Sequence, residues 1–253
     1  MTDALDPSYA LARHIALAKA TSLPEATIRA TNRDILDTFG CMLGGSGAPG
    51  IDMLRSVVLR AGGRQDATVL LSGARAPTQA AALLNGAMAH ALDFDDTHDK
   101  AGSIHPGAPV LAAAMAVAET LGGISGREFV TAVALGLDVA CRIALTARQD
   151  RGWHRTAAIG VFGAAASASR LMGLAPEKVQ NALGIALSQA SGTRQCIDDG
   201  AMTKRFQAGH AASGGVLSAF LAAEGFTGTE RTFAGLTASL RSTSPRILAT
   251  PTG

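Results

Sequence analysis

Apolar residues recur along this chain three and four positions apart, the spacing of a buried helix stripe, and strict alternation is almost absent. Pro24 can open a helix as its first residue. Ile28, Ile35, Leu36 and Phe39 then share a stripe, and the glycines after Leu43 stop it. The same pattern predicts helices over 51–60, 78–94, 106–121, 127–146, 156–172, 176–190 and 204–224, with Ser125 and Pro176 as start signals. Only 67–71, short, β-branched and flanked by glycine, reads as a strand. Without strand–helix alternation the fold class is all-α. From Thr227 the periodicity weakens into a tail rich in Thr, Ser and Arg, which reads as a frayed or loosely packed end.

Composition narrows this picture. With aromatics at 4% of 253 residues, the core must be built from Ala, Leu, Val and Ile. Small residues recur on the helices, as in GVFGAAASAS (160–169), and allow close approach. The net charge of +2 comes from 22 basic and 20 acidic residues with no basic run among aromatics, so nucleic acid is not an expected partner. The longest apolar stretches, such as 109–118, are broken by charges before eighteen residues, so no membrane span is expected. The N-terminus has no apolar core of a secretory signal. Cys41, Cys141 and Cys196 form no CxxC pair and read as buried thiols of a cytoplasmic protein.

Against this background, HALDFDDTHDKAGSIHPG (90–107) stands out, with four aspartates and three of the chain's six histidines. Extending the 78–94 helix by one turn puts His90, Asp93 and Thr97 on one face and turns Asp95 and Asp96 away. Asp95, Asp96 and Asp99 then read as caps, turn formers or ion-pair partners, and His98 as a surface or hydrogen-bonded residue. His105 falls near a helix N-terminus, as do His154 and Lys204. A cation there opposes the macrodipole, yet three helix ends brought together would attract a small polycarboxylate. His105 and His154 would be available to move protons. Taken singly, His154 or Lys204 more often serves structure than catalysis, because perturbing environments also occur in structural networks; only their joint placement favours a site. DDTHD (95–99) also matches the DDxxD pattern that holds Mg²⁺–diphosphate in all-α prenyltransferases, but a second metal motif and shielding aromatics are missing. His98–Asp99 likewise lacks the partners of a metal phosphohydrolase.

The blocks LLNGAMAHALDFDDTHDKAGSIHPGAPVLAAAMAVAE (83–119), GWHRTAAIGVFGAAASASRLMGL (152–174) and TKRFQAGHAASGGVLSAFLAAEGFTG (203–228) resemble, in order, those of the MmgE/PrpD family. That family includes 2-methylcitrate dehydratase, cis-aconitate decarboxylase and iminodisuccinate epimerase. The resemblance implies proton transfer beside a carboxylate of a small di- or tricarboxylate, without metal or organic cofactor. It also implies a homodimer; no membrane partner is expected, from the broken apolar stretches noted above. A 2-methylcitrate dehydratase-like lyase is the expectation. The decarboxylase or epimerase is the alternative, and a non-catalytic helical dimerisation remnant is a second one.

Residue by residue, Asp93, Thr97 and His105 match the family's first block, His154 the second and Lys204 the third. The resemblance makes His105 the acid/base group and Lys204 and His154 the carboxylate ligands, either of which could also move a proton, with Asp93 and Thr97 orienting His105 and the substrate. Arg155 is assigned no role. The resemblance covers 1–228, a helical domain, and leaves 229–253 as a divergent tail. The family's α+β lid and returning helices have no counterpart here. The expectation is an open site that binds citrate-like anions weakly, with little turnover until a lid is appended.

Overall fold

A computed structural model describes residues 6–147 and 152–233 of the chain, and these residues are mostly helical. The elements in order are α1 (Ser8–Leu17), α2 (Glu25–Gly45), α3 (Ile51–Ala61), β1 (Ala67–Val69), β2 (Ala74–Ala76), α4 (Thr78–Ala89), α5 (Gly107–Leu121), α6 (Gly126–Thr146), α7 (Arg155–Leu171), α8 (Pro176–Leu187), α9 (Gln195–Asp198) and α10 (Thr203–Ala223). The all-α reading holds. Pro24 is the N-cap of α2, Pro176 is the first residue of α8, and the Ser125 side chain accepts from Glu128 N–H at 3.2 Å to cap α6.

Small residues explain how the helices meet. α10 packs along α4 and α7, and α7 lies on α5 and α6. At the α6–α7 crossing, a Cβ on Gly136 would stand 2.8 Å from the Gly163 carbonyl oxygen, and one on Gly163 would stand 2.8 Å from that of Gly136. At the α4–α10 crossing Gly86 faces Gly209, whose missing Cβ lets the backbones touch. Phe162, fully buried on α7, packs against Phe233 with ring centroids 5.6 Å apart.

Several expectations need correction. α1 was not anticipated. The strand at 67–71 is half of an antiparallel hairpin: a strand needs a ladder partner, and β2 supplies it in register Thr68↔Arg75. Asn85 of α4 clamps that hairpin, accepting from Leu70 N–H at 3.1 Å and donating to the Thr68 carbonyl at 2.9 Å. The start of the tail is packed rather than frayed. Phe233 is buried, and Gln180 of α8 donates to the Glu230 carbonyl at 2.9 Å; the rest, 234–253, lies outside the described residues. Of the three free thiols only Cys196 is buried, and Cys41 and Cys141 are half-buried. α6 is long and apolar enough to cross a membrane by length and composition, but 56% of that stretch is buried inside this fold.

The largest correction concerns α4. It ends at Ala89, not at 94, with His90 as its C-cap. Asp93 takes a left-handed backbone, φ 58°, and the segment to Pro106 folds as a loop tied by an antiparallel bridge between His98 and Ile104. Short polar side chains that bond elsewhere compete with helix hydrogen bonds, and here Asp93, Asp95 and Asp96 all do so. His90, Asp93 and Thr97 therefore do not share a helix face. The C-terminal end of α4 and the starts of α5, α7 and α10 still meet at one end of the bundle, and the loop joins them.

Candidate active site

All five residues singled out in the sequence come together at this end. Lys204, in the first turn of α10, pairs with Asp93. Its Nζ is also 3.1 Å from His90 Nε2. His154 is the N-cap of α7, and its Nε2 is 3.3 Å from His90 Nε2. His105 sits just before the N-cap Pro106 of α5. Its Nδ1 lies 3.3 Å from the Asp95 carbonyl and 3.4 Å from Thr97 Oγ1, and its Nε2 is 3.9 Å from Asp93 Oδ1. Thr156 fixes the His105 backbone by accepting its N–H at 3.1 Å.

Three further residues complete the arrangement. His90 and Asp95 are sealed from solvent and joined by Nδ1···Oδ2 at 2.7 Å. Asp95 thus lies in the site, a correction to the reading that turned it away. Asp96 keeps the cap reading, accepting the Gly107 N–H of α5 at 2.9 Å. Gln207, one turn after Lys204, receives a hydrogen bond from His154 Nδ1 at 2.8 Å. Lys204 and Gln207 stand at i and i+3 on α10, a helical spacing that could have flagged Gln207. Arg155 is buried and donates to the Ala144 and Ala147 carbonyls, tying the start of α7 to the end of α6.

The acceptors around the rings fix their protons. A carboxylate faces His90 Nδ1, a backbone carbonyl faces His105 Nδ1, and an amide oxygen faces His154 Nδ1. Each Nδ1 is therefore the donor, and each neutral ring keeps a basic Nε2. Burial, helped by the charges of His90, Lys204 and His105 and opposed by the Gln207 hydrogen bond, pushes His154 down to about 4, so it is neutral near pH 7. Burial alone would raise Asp93. The hydrogen bond and charge of Lys204, with His90 and His105, outweigh it and hold Asp93 below the ordinary carboxylate value. The cluster thus combines one fixed ammonium, one fixed carboxylate and basic imidazole nitrogens, the parts needed to bind an anion and move a proton beside it.

His90, Asp93, Asp95 and His105 also bring one ligand atom each within 4.8 Å of one another. Within the protein, His90 is engaged with Asp95 and Asp93 with Lys204.

Comparison with known proteins identifies the family. The family model described as MmgE/PrpD N-terminal domain matches residues 9–246. A cis-aconitate decarboxylase-like protein of Aspergillus oryzae is 31% identical over 85% of this chain and 46% of its own length. Human cis-aconitate decarboxylase is 30% identical over 98% of this chain and 53% of its own, and that of Aspergillus terreus is 30% identical over 81% and 43%. The chain spans about half the length of these curated relatives. From near its N-terminus to beyond the last described helix, it belongs to the MmgE/PrpD family.

Proposed function

We propose that this chain carries the proton-transfer centre of a lyase acting on a small di- or tricarboxylate. The observation that carries this is the meeting of Lys204 with three imidazoles and Asp93 at the joined ends of four helices. Lys204 binds a carboxylate of the substrate, His105 Nε2 is the acid/base group, His154 assists, and Asp93 and Thr97 hold Lys204 and His105 in place.

Dehydration and decarboxylation both fit. In dehydration a base takes the proton beside a carboxylate and an acid protonates the departing hydroxyl. In decarboxylation the carbon–carbon bond to the leaving carboxylate breaks and a proton is delivered to the resulting carbanion. The curated relatives favour cis-aconitate as substrate. Dehydration of 2-methylcitrate is supported by the family resemblance alone. The roles assigned here use side chains of this chain and call for no metal.

Incubation in D₂O with cis-aconitate, citrate or 2-methylcitrate tests the proposal. Deuterium should enter a carbon beside a carboxylate, and chelators should not slow it. Lys204→Met should reduce it by about 10²-fold or more, as loss of one preorganised donor does elsewhere. Exchange that is equal in Lys204→Met and wild type would remove the proposal.

A further inference from the structure

Asp96 ties three elements together around His105. Its Oδ1 accepts the Gly107 N–H at the start of α5, at 2.9 Å. The peptide bond that leads into it carries the Asp95 carbonyl, which faces His105 Nδ1 at 3.3 Å. Its carboxyl also lies within hydrogen-bonding reach of Asp34 on α2. Gly107 is wedged at this junction, where an added Cβ would stand 2.5 Å from Thr38 Oγ1 of α2 and 2.6 Å from Asp96 Oδ1. Asp96 therefore holds the chain on both sides of His105.

Two ionised carboxylates only accept, so one of this pair must bring a proton if they are to bond. Asp34 Oδ2 is buried with no hydrogen-bond donor among the described residues, a costly state that such a proton would relieve. The groups facing the pair favour keeping it. They are Asp37 and Cys41 on α2, Asp95 in the loop, and Cys141 on α6 with Asp138 beyond it. Burial first, then these carboxylates, push Cys41 up to about 11 and Cys141 up to about 12, so both are neutral thiols near pH 7. The neighbouring carboxylates thus disfavour a second negative charge on the pair. Asp34 gives up its proton at about 6. Burial, then the charges of Asp34 and Asp95, raise Asp96 well above the ordinary carboxylate value, against the pull of the Gly107 N–H. Near pH 7 the pair holds one proton between them.

We propose that Asp96 is a neutral acid and a positioning residue: its Oδ2–H donates to the Asp34 carboxylate, its Oδ1 accepts from Gly107 N–H, and this bridge from α2 to α5 aims His105. The bond to Asp34 is charge-assisted, the stronger kind of hydrogen bond. The positioning role rests on reading the cluster as a proton-transfer site; the proton on Asp96 does not. A helix cap alone needs no proton, because an ionised Asp96 would accept the Gly107 N–H better than a neutral one.

NMR of the whole chain labelled with ¹³C at the aspartate carboxyls tests the proton directly. At pH 7 the assigned Asp96 carboxyl should stand at the position of a neutral acid and move only at alkaline pH. An Asp96 carboxyl already ionised at pH 7 overturns the bridge, and this wild-type measurement decides even if variants fail to fold. Two substitutions, with ¹⁵N at histidine, test positioning. Asp96→Asn copies the neutral acid, since its amide donates to Asp34 and its oxygen accepts from Gly107, and should leave the His105 ring nitrogens as in wild type. Asp96→Ser can still cap α5 but does not reach Asp34, and should shift them. His105 nitrogens unmoved in Asp96→Ser, or moved equally in both variants, would leave Asp96 a cap and remove the positioning role. If the wild type puts no deuterium into cis-aconitate, citrate or 2-methylcitrate while the neutral Asp96 is present, the lyase reading falls and the bridge stands. If deuterium enters and Asp96 is ionised, only the bridge falls.

Discussion

The buried His154 and the half-buried Asp34 are groups whose protonation pulls stability in opposite directions. Burial first, then the charges around it, puts His154 at about 4, below its ordinary 6.5. The folded protein refuses a proton that the unfolded chain accepts. The stability this contributes is complete above about 6.5 and is lost as pH falls toward 4. His154→Gln should remove that loss, so denaturant titrations across the window should show the wild type falling by about 2–3 kcal/mol more than the variant. Asp34 is raised to about 6, by burial first and by the charges of Asp37 and Asp95, against the hydrogen bond with Asp96. Its contribution is complete below the ordinary carboxylate value and is lost as pH rises through 6. Asp34→Asn should therefore gain on the wild type as pH climbs from about 4 to 7, and a profile parallel to the wild type would contradict the assignment. His105, His154 and Lys204 were legible because each opens a helix. Asp95 and Gln207 were not, and His90 was grouped with Asp93 and Thr97 but given no role, because their meaning lies in partners such as Lys204, 114 positions from His90.

The helices were mostly legible because burial against neighbours needs a stripe, and a stripe shows as period. What escaped was set by contacts beyond the window. α4 stops at Ala89 because its next residues bond across the site, and β2 exists because β1 requires a partner. The crossings of α6 with α7 and of α4 with α10 depend on glycine for contact, not for turning. Gly163→Ala should force the α6–α7 backbones apart and cost about 1–3 kcal/mol in chemical denaturation. An unchanged midpoint would show that this crossing has slack.

At the scale of the molecule, the bundle gathers its chemistry at one end and leaves Leu36 (73% exposed), Met53 (66%) and Val57 (58%) on the outer faces of α2 and α3. Exposed apolar side chains of this size favour burial against another surface, and a second copy of the chain is proposed as the partner. Sedimentation at micromolar concentration should find a dimer or larger species, and Leu36→Lys with Val57→Glu should shift it toward monomer. A wild-type monomer would count against this. The site itself is tested most directly by melting the chain in rising citrate, from zero to tens of millimolar. A millimolar site should stabilise the fold by about 1–2 kcal/mol at the top of that range, and Lys204→Met should abolish the shift. No shift in the wild type, or an equal shift in Lys204→Met, would contradict the carboxylate site.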